Sequence, residues 1–233
     1  MSKLIQWVGN SLFMLLVFLF VADPTNTILG LKTPVFALLL LYSLVFFKAD
    51  WKNIVYFIVP VMTVMVSLVI AAMQGSHVDM VALKDLLMSF APLILLMWAG
   101  QYDIIRLSII PVAVTATLVL LLFWTIFFVP DLEGPIYVFM GEHNDTIMMS
   151  NRAFLGFEVF CMYPKSTAAF MPVFGLAVYK SLTKKKWQYI LVAIILLHMF
   201  VISGTRSSVL LPVLMAGVLV FLYCRNGRYM RYI

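Results

Sequence analysis

Apolar residues along this chain fall in long runs broken by short polar stretches. Eight runs can be marked, at roughly 4–21, 28–47, 53–73, 86–99, 104–129, 167–182, 189–202 and 207–223. Most reach or approach the roughly 20 residues that a helix needs to cross a bilayer. None alternates in the period of two that a membrane β-barrel strand would show. In hydrocarbon every backbone N–H and C=O needs an internal partner, so helices are the expected spanning form. The pattern predicts an all-α polytopic helical bundle with about eight transmembrane helices, forming a single transmembrane domain over residues 1–233. The run at 86–99 is the weakest: it is short, Pro92 interrupts it, and Lys84 and Asp85 limit its extension. If it failed to span, every later orientation would reverse.

Composition supports this pattern. Hydrophobic residues make up 64% of the chain and charged residues 11%, against roughly 45–50% and about 25% in soluble domains. Lipid is the solvent that such a chain can use. Met1-Ser2-Lys3 and the apolar run after it resemble the start of a signal peptide. The run leads into Asp23-Pro24-Thr25 without a small-x-small cleavage site, so it is read as the first span.

The net charge of +6 would suggest nucleic acid as the partner of a soluble protein. Here the basic residues sit at the span ends, and no nucleic acid is expected. With the N-terminus inside, Lys3, Lys48, Lys52, Arg106, Lys180, Lys184, Lys185, Lys186, Arg225, Arg228 and Arg231 lie inside. Lys32, Lys84, Arg152, Lys165 and Arg206 lie outside. Eleven basic residues inside against five outside match the excess expected of cytoplasmic loops. Both termini are therefore expected in the cytoplasm. Cys161 and Cys224 fall on opposite sides, so no disulfide is expected, and no Cys/His pair has zinc-site spacing.

One connection is long. Residues 130–166 form a polar outer segment that mixes charges with apolar stretches, and it is expected to fold onto the membrane surface. Within it, Glu142-His143-Asn144-Asp145 gathers two carboxylates and an imidazole. These could serve as a general base or bind a metal, or form a solvated polar turn. Ser203-Gly204-Thr205-Arg206-Ser207-Ser208 sits at the outer turn before the last span. Helix N–H groups, hydroxyls and a guanidinium fork there suit a phosphate. Equally, Arg206 could snorkel to the interface while Ser207 caps the helix. His198 lies inside the seventh run, either as a functional group or as a neutral hydrogen-bonded histidine of the bundle. Walker-type motifs are absent, so no nucleotide cofactor is expected, and no cofactor or metal is called for.

The second half of the chain resembles the bacterial O-antigen polymerase and O-antigen ligase superfamily. The resemblance rests on Arg152-x-x-x-Gly156, on Tyr163-Pro164-Lys165-Ser166 leading into a span, and on Ser-Gly-Thr-Arg206-Ser207-Ser opening a later one. It covers about residues 151–220. Family members are inner-membrane glycosyltransferases of lipopolysaccharide and other surface polysaccharide assembly. They use sugars linked to undecaprenyl pyrophosphate at the periplasmic face. The resemblance implies that Arg152 and Arg206 hold the pyrophosphate, with Gly156 and Ser207 supporting backbone shape; Lys165 is a further candidate for binding the substrate. The required base would come from His143, Glu142 or Asp145.

Two departures stand out. The family commonly has a tighter Arg-x-x-Gly and an Asn-Pro-Asn where this chain has Arg-x-x-x-Gly and Tyr-Pro-Lys. Members also continue through a second periplasmic loop, so this sequence is expected to be an N-terminal portion or a truncated member. Two rivals remain. One is a transporter or flippase for a lipid-linked saccharide, which would show charged or broken helices at midplane. The other is a non-catalytic membrane partner of other polysaccharide assembly proteins.

Overall fold

The computed structural model describes residues 3–23, 28–75, 90–142, 147–154, 157–164, 166–203 and 206–225. Helices dominate them. They are α1 (Lys3–Ala22), α2 (Lys32–Phe46), α3 (Val55–Met73), α4 (Ile104–Phe128), α5 (Glu133–Glu142), α6 (Thr167–Lys184), α7 (Trp187–Ile202) and α8 (Arg206–Arg225). Strands β1 (Ile147–Phe154) and β2 (Phe157–Pro164) lie between α5 and α6. Among the described residues, three helical stretches are long and apolar enough to cross a membrane: Lys3–Ala22, Trp51–Met73 and Arg106–Phe128. Lys32–Phe46, Trp187–Ile202 and Ser208–Cys224 are apolar but shorter. The fourth predicted span is described only from residue 90, and Ala91–Trp98 is a 3-10 helix of eight residues. At a rise of about 2.0 Å per residue it covers roughly 16 Å, short of the roughly 30 Å hydrocarbon core.

The chain divides into two compact units, Met1–Leu12 with Pro34–Ile104, and Phe13–Thr33 with Ile105–Ile233. In the first, polar side chains tie helix ends together. Tyr42 donates its hydroxyl to Ile5 O at 2.8 Å, and Gln6 Nε2 donates to Gln101 O at 2.9 Å. Trp98 Nε1 donates to Phe47 O at 3.3 Å, just past the end of α2. Asp50 N donates to Met97 O at 2.7 Å and Asn53 Nδ2 to Leu96 O at 3.0 Å. Helix ends leave carbonyls without intrahelical donors, and these bonds supply some of them. Tyr102 is buried here, its hydroxyl 2.8 Å from that of Ser43. Burial pushes its phenol above the usual value of 10.0, while the bond to Ser43 pulls the other way. A Cβ on Gly9 would come 3.0 Å from the Phe47 ring and 3.3 Å from the Tyr102 ring, so a larger residue would require these rings to give by a few tenths of an ångström.

In the second unit, α4 provides a buried stripe of Ile109, Val112, Ala116, Val119, Leu120, Phe123 and Ile126. Steps of three and four put these residues on one helix face. Phe170, Val173 and Phe174 of α6, Leu196, Met199 and Phe200 of α7, and Met162 of β2 complete the same core. Phe174 and Phe200 meet edge to face at 5.9 Å. The helix α6 packs against α7 and α8. Hydroxyls in the apolar helices bond back along their own helix, as when Thr115 and Thr117 of α4 donate to Pro111 O and Ala113 O. In apolar surroundings a hydroxyl requires such internal satisfaction.

The described residues of the segment at 130–166 form regular elements. After α5 it forms an antiparallel hairpin paired from Ile147↔Pro164 to Phe154↔Phe157. An isolated hairpin is marginal in water, but this one rests on the helical core. Cys161 and Met162 are buried, and the Phe160 ring stacks on Phe123 of α4 at 5.8 Å. Neither Cys161, which is buried, nor Cys224, which is exposed, is in a disulfide.

Candidate functional site

The second unit has a pole at which α1 ends, α6 and α8 begin, and the hairpin docks. At its base Asp23 terminates α1, its N–H reaching Leu19 O at 3.0 Å. The carboxylate is buried and accepts the N–H groups of Ile28 at 3.2 Å and Leu29 at 2.8 Å. These charge-assisted bonds offset the desolvation of a buried carboxylate. Ser166, the residue before α6, makes no cap bond to that helix. Its hydroxyl instead donates to Val21 O at 2.6 Å, joining the start of α6 to the end of α1 across 145 residues. Ser203 is buried and donates to Phe200 O at 2.7 Å, closing α7.

Aromatic rings fill the side of this pole. Trp124 of α4 meets the His198 ring of α7 edge to face at 5.6 Å. His198 is half-buried and lies on the aromatic wall of the core. The strand β2 packs against α7.

Four of the sequence-derived site residues lie in described elements of this unit. Arg152 lies in β1, paired opposite Val159. Arg206 is the first residue of α8 and Ser207 the second. Glu142 ends α5, which packs against β1. His143, Asp145, Gly156 and Lys165 lie outside the described residues. Backbone packing thus runs from α5 to β1, β2 and α7, and α7 leads through Ser203 towards Arg206. Among the described residues no group of three or more His, Cys, Asp or Glu could hold a metal ion.

Sequence reasoning missed Asp23 and Ser166. Asp23 could have been suspected, since it follows an apolar run directly and precedes a proline. Ser166 carried no signal beyond its place before a helix, because its partner is a backbone carbonyl far away in sequence.

No known family model, curated protein or solved structure matches this chain.

Proposed function

We propose that this chain is a multi-pass protein of the bacterial inner membrane, with about eight crossings and both termini in the cytoplasm, and that its outer pole is the donor site of a glycosyltransferase resembling the O-antigen polymerases. The observation that carries the reading is the packing of β2, the partner of the strand holding Arg152, against α7, which leads into α8 and Arg206. Two guanidinium-bearing segments then border one end of one unit. The donor would be an undecaprenyl-pyrophosphate-linked glycan in the bilayer. An acceptor hydroxyl attacks the anomeric carbon, the anomeric C–O bond to pyrophosphate breaks, and a base takes the hydroxyl proton. Negative charge grows on the leaving pyrophosphate, where fixed guanidinium groups act most strongly. Glu142, His143 and Asp145 supply the candidate bases.

Two sets of hydrogen bonds support the topology by parity. Groups bonded directly to one another share a side of the membrane. Asp50 and Asn53 bond to Met97 and Leu96, so an even number of crossings separates residues 53 and 96. Ser166 bonds to Val21, so an even number separates residues 21 and 166. Counting α2, α3 and α4 as crossings gives an odd number, so this reading requires a further crossing from the fourth apolar run.

Two measurements test this reading. In a strain that depends on the protein, Arg152→Ala and Arg206→Ala should each abolish polymer while protein abundance stays normal. Unchanged polymer from both substitutions overturns the arginine site. With Cys161 and Cys224 replaced by serine, a cysteine at Gly75 should react in intact cells with a membrane-impermeant maleimide, and a cysteine at Gln101 should not. The reverse pattern sinks the topology.

A further inference from the structure

The opposite end of the α6–α7 pair has a chemistry of its own. Lys184 ends α6, Lys185 and Lys186 form the whole connection, and Trp187 starts α7. Lys185 takes a left-handed conformation (φ 51) and donates its N–H to Ser181 O at 3.1 Å. Glycine usually fills such a position, because a side chain is disfavoured there. The tight turn concentrates Lys184, Lys185 and Lys186, all exposed, with Lys180 one helical turn earlier. The Lys180 ammonium lies over the Tyr189 ring at 5.7 Å, and Trp187 is 69% exposed beside the turn.

No carboxylate is available to these amines from their own helices. The sequence from Val159 to Ile233 contains neither Asp nor Glu. The helix α8 packs along α6 and α7 and ends on Arg225. The first turn of α7 holds no acidic residue, and Lys186, its cap, makes no side-chain cap bond. A cation at a helix N-terminus is unfavourable unless an anion sits nearby. The helix α6 has 18 residues and α7 has 16, giving lengths of about 27 and 24 Å. Both lengths are below the roughly 30 Å hydrocarbon core, and of the two helices α7 is the apolar one; lysines at the end of an apolar helix collect at the depth of lipid headgroups, as tryptophan and tyrosine do.

We propose that the Lys180–Lys184–Lys185–Lys186 turn is a binding surface for the phosphate headgroups of anionic phospholipids. The exposed ammonium groups pair with lipid phosphates, while Trp187 and Tyr189 hold the turn at the interface. This inference does not depend on the glycosyltransferase reading.

The test uses the full chain in vesicles of phosphatidylcholine, with and without phosphatidylglycerol. Phosphatidylglycerol should raise the thermal unfolding midpoint, and added salt should diminish the gain. Lipid retention, read by native mass spectrometry, should weaken about fivefold for each lysine changed to glutamine. The combined K184Q/K185Q/K186Q chain should lose on the order of a hundredfold, and K184R/K185R/K186R should retain binding. If the glutamine chain does not insert, K180Q alone should still show its fivefold loss. Equal retention by the wild type and the glutamine variants overturns the proposal. So does an equal midpoint gain from inorganic phosphate added to phosphatidylcholine vesicles, which would mean that any phosphate suffices.

Discussion

Helices α3 and α4 belong to stretches with almost the same signal, each 23 residues long, at Trp51–Met73 and Arg106–Phe128. Each contains an internal proline, Pro60 in one and Pro111 in the other. None of the first window is buried inside the protein, while half of the second is. Hydropathy therefore reports that a segment prefers lipid to water. It does not report whether the segment ends beside lipid or beside other helices, since lipid tails are as apolar as leucine. What distinguishes α4 is a face on which Ala116, with no exposure at all, alternates with the bulk of Val112, Val119 and Phe123. Alternating small and large residues allow neighbouring side chains to interdigitate.

This contrast can be broken most sharply by truncating side chains. Phe123→Ala in α4 should cost about 3–5 kcal/mol, because it empties a packed site. Ile58→Ala in α3, 44% exposed, should cost under about 1 kcal/mol, because lipid refills the space. Denaturation in micelles measures both, and equal losses would mean that α3 is as tightly packed as α4.

Glycines sharpen the comparison between the two units. Gly9→Ala presses a methyl group against the rings of Phe47 and Tyr102, both buried, the second also held by its bond to Ser43. A loss of about 1–3 kcal/mol is expected. Gly175→Ala meets the Met215 sulfur at 2.9 Å, but that side chain can swing away. Its cost should stay below about 1 kcal/mol. A larger loss at Gly175 than at Gly9 would reverse this ranking.

A further effect concerns Tyr102. Tyr102→Phe removes its bond to Ser43 and should cost about 1 kcal/mol. Serine keeps its own bond to Leu39 O at 2.7 Å. The raised phenol pKa also gives a sign for the pH dependence. The unfolded chain loses this proton near pH 10 and the folded chain only above that. The contribution is thus fully present below pH 10 and is lost as pH rises through the folded value. Unfolding midpoints should therefore fall above pH 10 more steeply in the wild type than in Tyr102→Phe, and identical slopes would remove Tyr102 from the account.

Much of the helical layout could be read from the chain. The runs at 104–129, 189–202 and 207–223 lie within about two residues of α4, α7 and α8, because apolar length and flanking charge are local properties. The lysine turn was equally legible, since Lys184-Lys185-Lys186 interrupts two apolar runs. The hairpin was not. Phe157-Glu158-Val159-Phe160-Cys161-Met162-Tyr163 has the aromatic and β-branched content of a strand. Its order, however, depends on burying Cys161 and Met162 and on stacking Phe160 upon Phe123, contacts that no local pattern announces. Of the site, Arg206 at a helix start could be placed from its turn, whereas Arg152 in a paired strand could not.

The sequence by itself determined which segments prefer lipid and where positive charge collects, because transfer free energy and charge belong to individual residues. Only the tertiary structure decided which apolar faces meet protein. It also decided that Ser166 ties α6 to α1, that β2 rests on α7, and that Tyr102 is buried against Ser43. Those outcomes depend on complementary shape and on hydrogen bonds between residues far apart in the chain, which no single stretch of sequence contains.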